Sequence, residues 1–137
     1  MPDIDECAKR DFISLFTSPE VASAWGYFWD NTNGIQDKFA DYWRVVAGKF
    51  KENTNVLGYD LLNEPWNGNM YKDSSLAYDT KKFDREKLKP FYSKIAKVIR
   101  EVDQEHPVFF EAGIFPNKIP LNGGILNDIG FDDVPDE

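Results

Sequence analysis

Glu64 stands in the tripeptide Asn63-Glu64-Pro65, directly after the nearly continuous apolar run Val56-Leu57-Gly58-Tyr59-Asp60-Leu61-Leu62. A carboxyl group held where a rigid buried strand meets a partly desolvated cleft is suited to general acid–base work. Cleavage of a glycosidic bond needs such a group, kept protonated by its surroundings and placed beside the leaving oxygen. Asn63 has the amide needed to hydrogen-bond the sugar hydroxyl next to the reacting carbon, a contact that strengthens in the transition state. Pro65 stops the strand and fixes the direction in which the chain leaves, which holds the two polar side chains in place. As a bare tripeptide, Asn-Glu-Pro is weak and also describes an ordinary turn after a strand. Its position behind the apolar run is what favours the chemical reading.

The neighbouring candidates each carry two readings. Trp66 offers a flat face on which sugar or lipid stacks, or a packing residue beneath the following loop. Glu111 lines the same cleft or forms a salt bridge. Trp25, Trp29 and Trp43 fall on helical segments and read as core, although Trp29-Asp30-Asn31 lies close to where an active-face loop would contribute. His106 and Cys7 read as structural. A single histidine rules out the common His-cluster metal sites, so no metal is expected.

These residues need elements to position them. Thr17-Ser18-Pro19-Glu20 reads as a helix start, with a hydroxyl cap, proline in the first turn and an acid at the positive end. The helix runs through Val21, Trp25 and Phe28 and breaks at Asn31-Thr32-Asn33-Gly34. A longer helix follows, with Ile35, Phe39, Tyr42, Trp43, Val46, Ala47 and Phe50 at helical spacing and Lys38, Asp41, Arg44 and Lys49 left for solvent. The Val56–Leu62 run suits a strand buried on both faces, as in a parallel sheet. A polar loop is predicted from Trp66 to about Phe83. Asp84 then caps a helix whose stripe is Leu88, Phe91, Ile95, Val98, Ile99 and Val102, with Pro90 early in it. Pro107-Val108-Phe109-Phe110-Glu111 reads as a second buried strand, and the Gly-, Pro-, Asn- and Asp-rich tail from Gly113 as loop. The first dozen residues show no periodic pattern. Strand, helix and strand of this style imply a βαβ unit of the α/β class with a right-handed crossover, and both strands end in polar or charged residues on one side.

The whole sequence has 137 residues, the size of a single domain, with 42% hydrophobic and 15% aromatic residues. Its formal charge of −8 opposes binding to phosphate backbones, so nucleic acid is not an expected partner. One cysteine excludes an internal disulfide. Met1 is followed by Pro2-Asp3-Ile4-Asp5-Glu6, which is not a signal peptide, and no stretch is long enough for a transmembrane segment.

Leu57-Gly58-Tyr59-Asp60-Leu61-Leu62-Asn63-Glu64-Pro65-Trp66 resembles the fourth-strand motif of glycoside hydrolase family 5, and is most similar to its endoglycoceramidase and glucosylceramidase branch. The flanks agree. Ile35-Gln36-Asp37 through Tyr42-Trp43-Arg44 and Phe50 resembles the preceding helix of that branch. Ile99-Arg100-Glu101-Val102-Asp103 with His106-Pro107-Val108-Phe109-Phe110-Glu111 resembles its next helix and fifth strand. The match runs from about Asp30 to Glu111.

The resemblance implies a partial (β/α)8 TIM barrel, from about the third helix through the fifth strand and not closed, with residues 1–137 a fragment of a single glycosidase catalytic domain. A full barrel uses eight strands and about 250 residues. The implied mechanism is retaining: Glu64 protonates the departing oxygen and then acts as base toward water, and Asn63 and Trp66 bind substrate. No cofactor is needed, because two carboxylates suffice. In the family the second, nucleophilic carboxylate follows the seventh strand, and no matching segment is present; Glu111 ends the next strand, not that one. The implied substrate is a glycolipid, cut at the β-glycosidic bond between glycan and ceramide, or an oligosaccharide, with peripheral contact to a lipid surface. Apolar Ile114, Phe115, Ile119, Leu121, Ile125 and Leu126 then either shape a ceramide groove or cover the barrel top. The implied location is secreted or a digestive, lysosomal compartment. Alternatives are a glucosylceramidase or endo-β-glucanase of the same family, and a non-catalytic glycolipid-binding remnant.

Overall fold

The computed structural model describes residues 3–114. In chain order they form α1 (Ile4–Ala8), α2 (Phe12–Phe16), α3 (Pro19–Trp29), a 3-10 turn (Thr32–Gly34), α4 (Ile35–Phe50) and β1 (Tyr59–Asp60). Then come α5 (Ser75–Tyr78), α6 (Thr80–Phe83), a π turn (Asp84–Leu88), α7 (Lys89–Arg100) and β2 (Val108–Phe109).

Helix α3 begins as its sequence dictates. The Ser18 hydroxyl accepts the Val21 N–H at 3.3 Å, and Pro19 occupies the first turn. It ends where Asn31, Asn33 and Gly34 take left-handed backbone angles, which asparagine and glycine adopt most readily. Gln36 is buried there, and its amide donates to the carbonyls of Phe28 and Trp29 at 2.9 and 3.2 Å, satisfying acceptors that the end of α3 leaves open. The joint between α3 and α4 is thereby fixed.

The core lies between α4, α7 and one face of the strand pair. Trp43 and Ala47 of α4 meet Tyr59 of β1, and α7 buries Phe91, Tyr92, Ile95 and Ile99 at helical spacing. An edge-to-face aromatic cluster joins Phe28, Trp29, Phe83 and Phe91, with ring centroids 4.9 to 5.4 Å apart. Those of these side chains that are fully buried each contribute about 1.5–3 kcal/mol by leaving water.

The two strands are parallel, Tyr59 pairing with Val108 and Asp60 with Phe109. The Tyr59 N–H donates to the Pro107 carbonyl at 2.9 Å, and the Leu61 N–H to that of Phe109 at 3.2 Å. A Cβ on Gly58 would lie 2.4 Å from the Pro107 oxygen, so only glycine lets the strands close to this distance where pairing begins. At the same end Asp103 is 3% exposed and accepts the Tyr59 hydroxyl at 2.6 Å and the N–H groups of Glu105 and His106. The His106 ring sits 2.7 Å from its other contact, Oδ2.

The α/β class and the parallel pair therefore agree with the sequence reading, and the sheet of the described residues is open. Five expectations need correction. The strands are shorter than the apolar runs, and β1 is not buried on both faces: Tyr59 and Leu61 are buried while Asp60 between them is exposed, because helices cover only one side of it. The stretch from Trp66 to Phe83 holds two short helices as well as loop. Asp79, not Asp84, caps the helical segment, accepting the Lys82 N–H at 3.0 Å; Asp84 is completely buried inside the π turn. The N-terminal dozen, read as patternless, contains α1 and the start of α2, which is capped by Asp11 accepting from Ser14. On α4, Ile35, Tyr42 and Phe50 are exposed, leaving Ala40, Trp43 and Ala47 as its buried stripe. Of the apolar tail residues, Ile114 is partly buried; Phe115, Ile119, Leu121, Ile125 and Leu126 lie outside the described residues.

Candidate active site

Strand β1 aims the chain at a bend formed by Asn63 and Glu64. Buried Leu61 and buried Pro65 bracket this bend, so its backbone is anchored on both sides while Asn63 and Glu64 themselves are exposed. Neither side chain makes a hydrogen bond or ion pair within the described residues. Both therefore remain free to meet a ligand. The sequence reading placed Glu64 beside a desolvated cleft; here it is exposed to solvent.

Glu64 has φ +48°, in the left-handed region, and it precedes a proline. A side chain with a Cβ costs about 1–2 kcal/mol there, and the residue before proline is steered toward extended backbone instead. Such a conformation persists only where its surroundings over-determine it. Two ties come from the segment after β2. The Glu64 N–H donates to Oε2 of Glu111 at 3.1 Å, and the Ile114 N–H donates to the Pro65 carbonyl at 2.9 Å.

That segment is held in turn by the helix behind it. The Tyr92 hydroxyl donates to the Glu111 carbonyl at 2.8 Å and lies 3.2 Å from the Glu111 N–H, which it accepts. Burial pushes the Tyr92 phenol far above its ordinary value, and the negative charges of Glu111, Asp60 and Asp84 add to this, so it stays a neutral donor. Oδ1 of Asp84 accepts the Gly113 N–H at 2.9 Å. A Cβ on Gly113 would fall 2.6 Å from the Phe83 ring and 2.8 Å from the Asn67 side chain, so the approach requires glycine.

Trp66 is 3% exposed. Its ring packs edge-on against Phe16 at 4.5 Å, and its carbonyl accepts the Trp29 indole N–H at 2.7 Å. Of its two readings the packing one describes the structure, since so little of the ring is left exposed for a sugar to stack on. Asn67 is also buried and donates to the Leu76 carbonyl at 3.1 Å, which fixes the loop beyond. Trp29 and Trp43 are core as expected, and Trp25 stacks on Trp29. A cavity of about 380 Å³ lies behind this loop, lined by Trp29, Asp30, Asn67, Asn69, Lys72 and Lys87 among others, and includes neither Asn63 nor Glu64. Among the described residues no group of three or more His, Cys, Asp or Glu could hold a metal, and no helix is long and apolar enough to cross a membrane.

Sequence reasoning placed Asn63 and Glu64 at the end of a strand and left the role of Glu111 open between two alternatives. It missed the contact of Glu111 with the Glu64 backbone and the parts played by Tyr92, Asp84 and Gly113. The available signal was the parallel arrangement itself: the segments that follow two paired parallel strands leave the sheet at the same end, and each carries a glutamate there.

Comparisons with known proteins agree on one family. The Cellulase (glycosyl hydrolase family 5) model matches residues 19–123. An endoglycoceramidase of Cyanea nozakii is 40% identical over 106 residues, which is 77% of this chain and 21% of that protein. One of Hydra vulgaris is 33% identical over 134 residues, 98% of this chain and 24% of the relative. The chain thus spans under a quarter of the length of these relatives. The structure of endo-glycoceramidase II from Rhodococcus sp. superposes with a TM-score of 0.69 at 29% identity, covering 94% of this chain and 28% of that one. Its ganglioside GM3 complex gives 0.62 at 32% identity, covering 74% and 22%.

Proposed function

The chain belongs to the Cellulase family, glycosyl hydrolase family 5, a family of glycosidases built on the (β/α)8 barrel, and from that membership we propose that it is part of a retaining hydrolase of glycolipids. The bond cut is the β-glycosidic bond between glycan and ceramide. The observation that carries this reading is the exposed, uncommitted pair Asn63 and Glu64 at the end of β1, inside the segment that resembles the endoglycoceramidases. In the proposed barrel α4 is the third helix, β1 the fourth strand and β2 the fifth, with residues 1–137 a portion of one catalytic domain.

Glu64 donates its proton to the departing oxygen and then removes one from the water that releases the sugar, while Asn63 binds the hydroxyl beside the reacting carbon. Trp66 supports the loop from beneath. A retaining enzyme needs a nucleophilic carboxylate about 5–5.5 Å from the acid. Glu111 is engaged by the Glu64 backbone and follows β2, the fifth strand of the proposed barrel and not the seventh, so the nucleophile is assigned to another part of the barrel. The substrate is met at a lipid surface, in a secreted or digestive, lysosomal setting.

The test uses a chimera in which this chain replaces the matched segment of the Cyanea nozakii endoglycoceramidase. It is expected to release glycan from gangliosides faster than from glucosylceramide or cello-oligosaccharides; the reverse order would transfer the reading to a glucosylceramidase or endo-β-glucanase. Glu64→Gln should cut turnover by about 10²–10⁴-fold while glycolipid binding persists. Unchanged turnover would reject Glu64 as the acid. The 137-residue chain alone should show no multiple turnover, and its appearance would overturn the assignment of the nucleophile elsewhere.

A further inference from the structure

We infer that Glu111 is a positioning residue for Glu64, its carboxylate fixing the acid's main chain from the segment that follows the neighbouring strand, and that the π turn exists to hold that segment. The inference rests on the reading of Glu64 as the acid.

Glu64 adopts a backbone conformation that neither its side chain nor the following proline favours. Left alone, the bend would relax toward extended backbone and swing the carboxyl away from the line of β1. The bond from its N–H to the Glu111 carboxylate is charge-assisted, a stronger class than a neutral one; it pins the peptide plane entering residue 64, from which φ +48° sets the direction of the Glu64 side chain and of Pro65. The Ile114 N–H on the Pro65 carbonyl closes the other side of the bend. Glu111 and Ile114 thus grip Glu64-Pro65 from one short stretch of chain.

Tyr92 and Asp84 fix that stretch at Glu111 and Gly113 respectively. These two lie eight residues apart on one continuous helical segment. An unbroken α-helix would turn them about 80° from each other. The π turn inserts the equivalent of one residue, worth about 100° of rotation, which brings both onto the face that meets residues 111–113. Asp84 is completely buried, so a helix without the π turn would leave a carboxylate in the core away from the N–H it now accepts. The irregularity in the helix, the glycine at 113 and the strained acid form one mechanical chain.

Two experiments test this. In the chimeric enzyme carrying Glu64→Gln, which removes that residue's own titration, the amide proton of residue 64 should shift as Glu111 is protonated, and the shift should vanish on adding Glu111→Gln. An amide that does not respond, or responds equally in both, overturns the contact. In the chimeric enzyme, Glu111→Ala should lower kcat about 10- to 100-fold with KM within about twofold, since a displacement near 1 Å is enough for such a loss. Glu111→Gln keeps an accepting oxygen and should recover most of that rate. Equal rates for alanine and glutamine variants overturn the positioning role. If Glu64→Gln itself leaves turnover unchanged while the amide still titrates, the acid assignment fails and the contact stands.

Discussion

Three carboxylates illustrate how the same group does different work in different surroundings. Glu64 is exposed and free of internal partners, Glu111 is half-buried and aimed at a backbone N–H, and Asp103 is buried beneath the opposite ends of the strands. Burial alone would push the Asp103 carboxyl up, but the Tyr59 hydroxyl, the N–H groups of Glu105 and His106 and the His106 ring together outweigh it and hold it well below the ordinary 3.8. Burial and the nearby Asp103 charge push the Tyr59 phenol up to about 12, so it remains the donor of that pair. A carboxyl lowered on folding stabilises the fold above its unfolded value, and the contribution disappears as pH falls through the folded one. Stability of the chain in denaturant should therefore decline as pH drops below about 4, and Asp103→Asn should flatten that decline while costing about 2–3 kcal/mol at neutral pH. Urea titrations at pH 7 and pH 3 read both effects, and a variant as stable as wild type at pH 7 would contradict them.

Elements governed by neighbouring residues were legible in the sequence. The Ser18 cap with Pro19 and the break at Asn31 to Gly34 are local steric and hydrogen-bonding facts, and α4 was legible from a helical period sustained over sixteen residues. The strands were over-read, because an apolar run shows how much surface wants burial and not how many strands stand beside it to receive it. The position of Asn63 and Glu64 was legible from the run before them. The grip of Glu111 was not, since it depends on the register of two strands whose contacting residues lie 47 positions apart. The π turn was hidden for a related reason: Asp84 looks like a helix cap until its long-range partner, the Gly113 N–H, is known. The difference has a measurable consequence. Ser18→Ala removes a local cap and should cost about 1 kcal/mol without touching the site. Gly113→Ala drives a methyl into Phe83 and Asn67 and should cost about 1–3 kcal/mol. In the chimera it should also lower kcat, whereas Ser18→Ala should not. Equal kinetics for the two variants would show that the segment after β2 does not reach Glu64.

At the scale of the whole molecule, the helices cover one face of a two-stranded sheet, and a family built on closed barrels covers the rest with further strands. Among the described residues those strands are absent, and apolar side chains stand in water: Leu57 is 79% exposed, Val45 72% and Phe109 43%. Phe109 lies on β2, beside sheet edges whose N–H and C=O groups are ready to pair with another chain. Scattered apolar residues on a surface are ordinary, but together with open sheet edges they favour association. The 137-residue chain in isolation should therefore bind a hydrophobic dye and self-associate at about micromolar concentrations and above. Phe109→Lys, which puts a charge beside the open edge, should shift it toward monomer, whereas the chimera, with its barrel completed, should be monomeric without that change. Sedimentation of the three proteins across a concentration series distinguishes the cases. A wild-type chain that stays monomeric and dye-free throughout would mean that these faces are covered in solution, and would overturn the reading of the described residues as an open piece of a barrel.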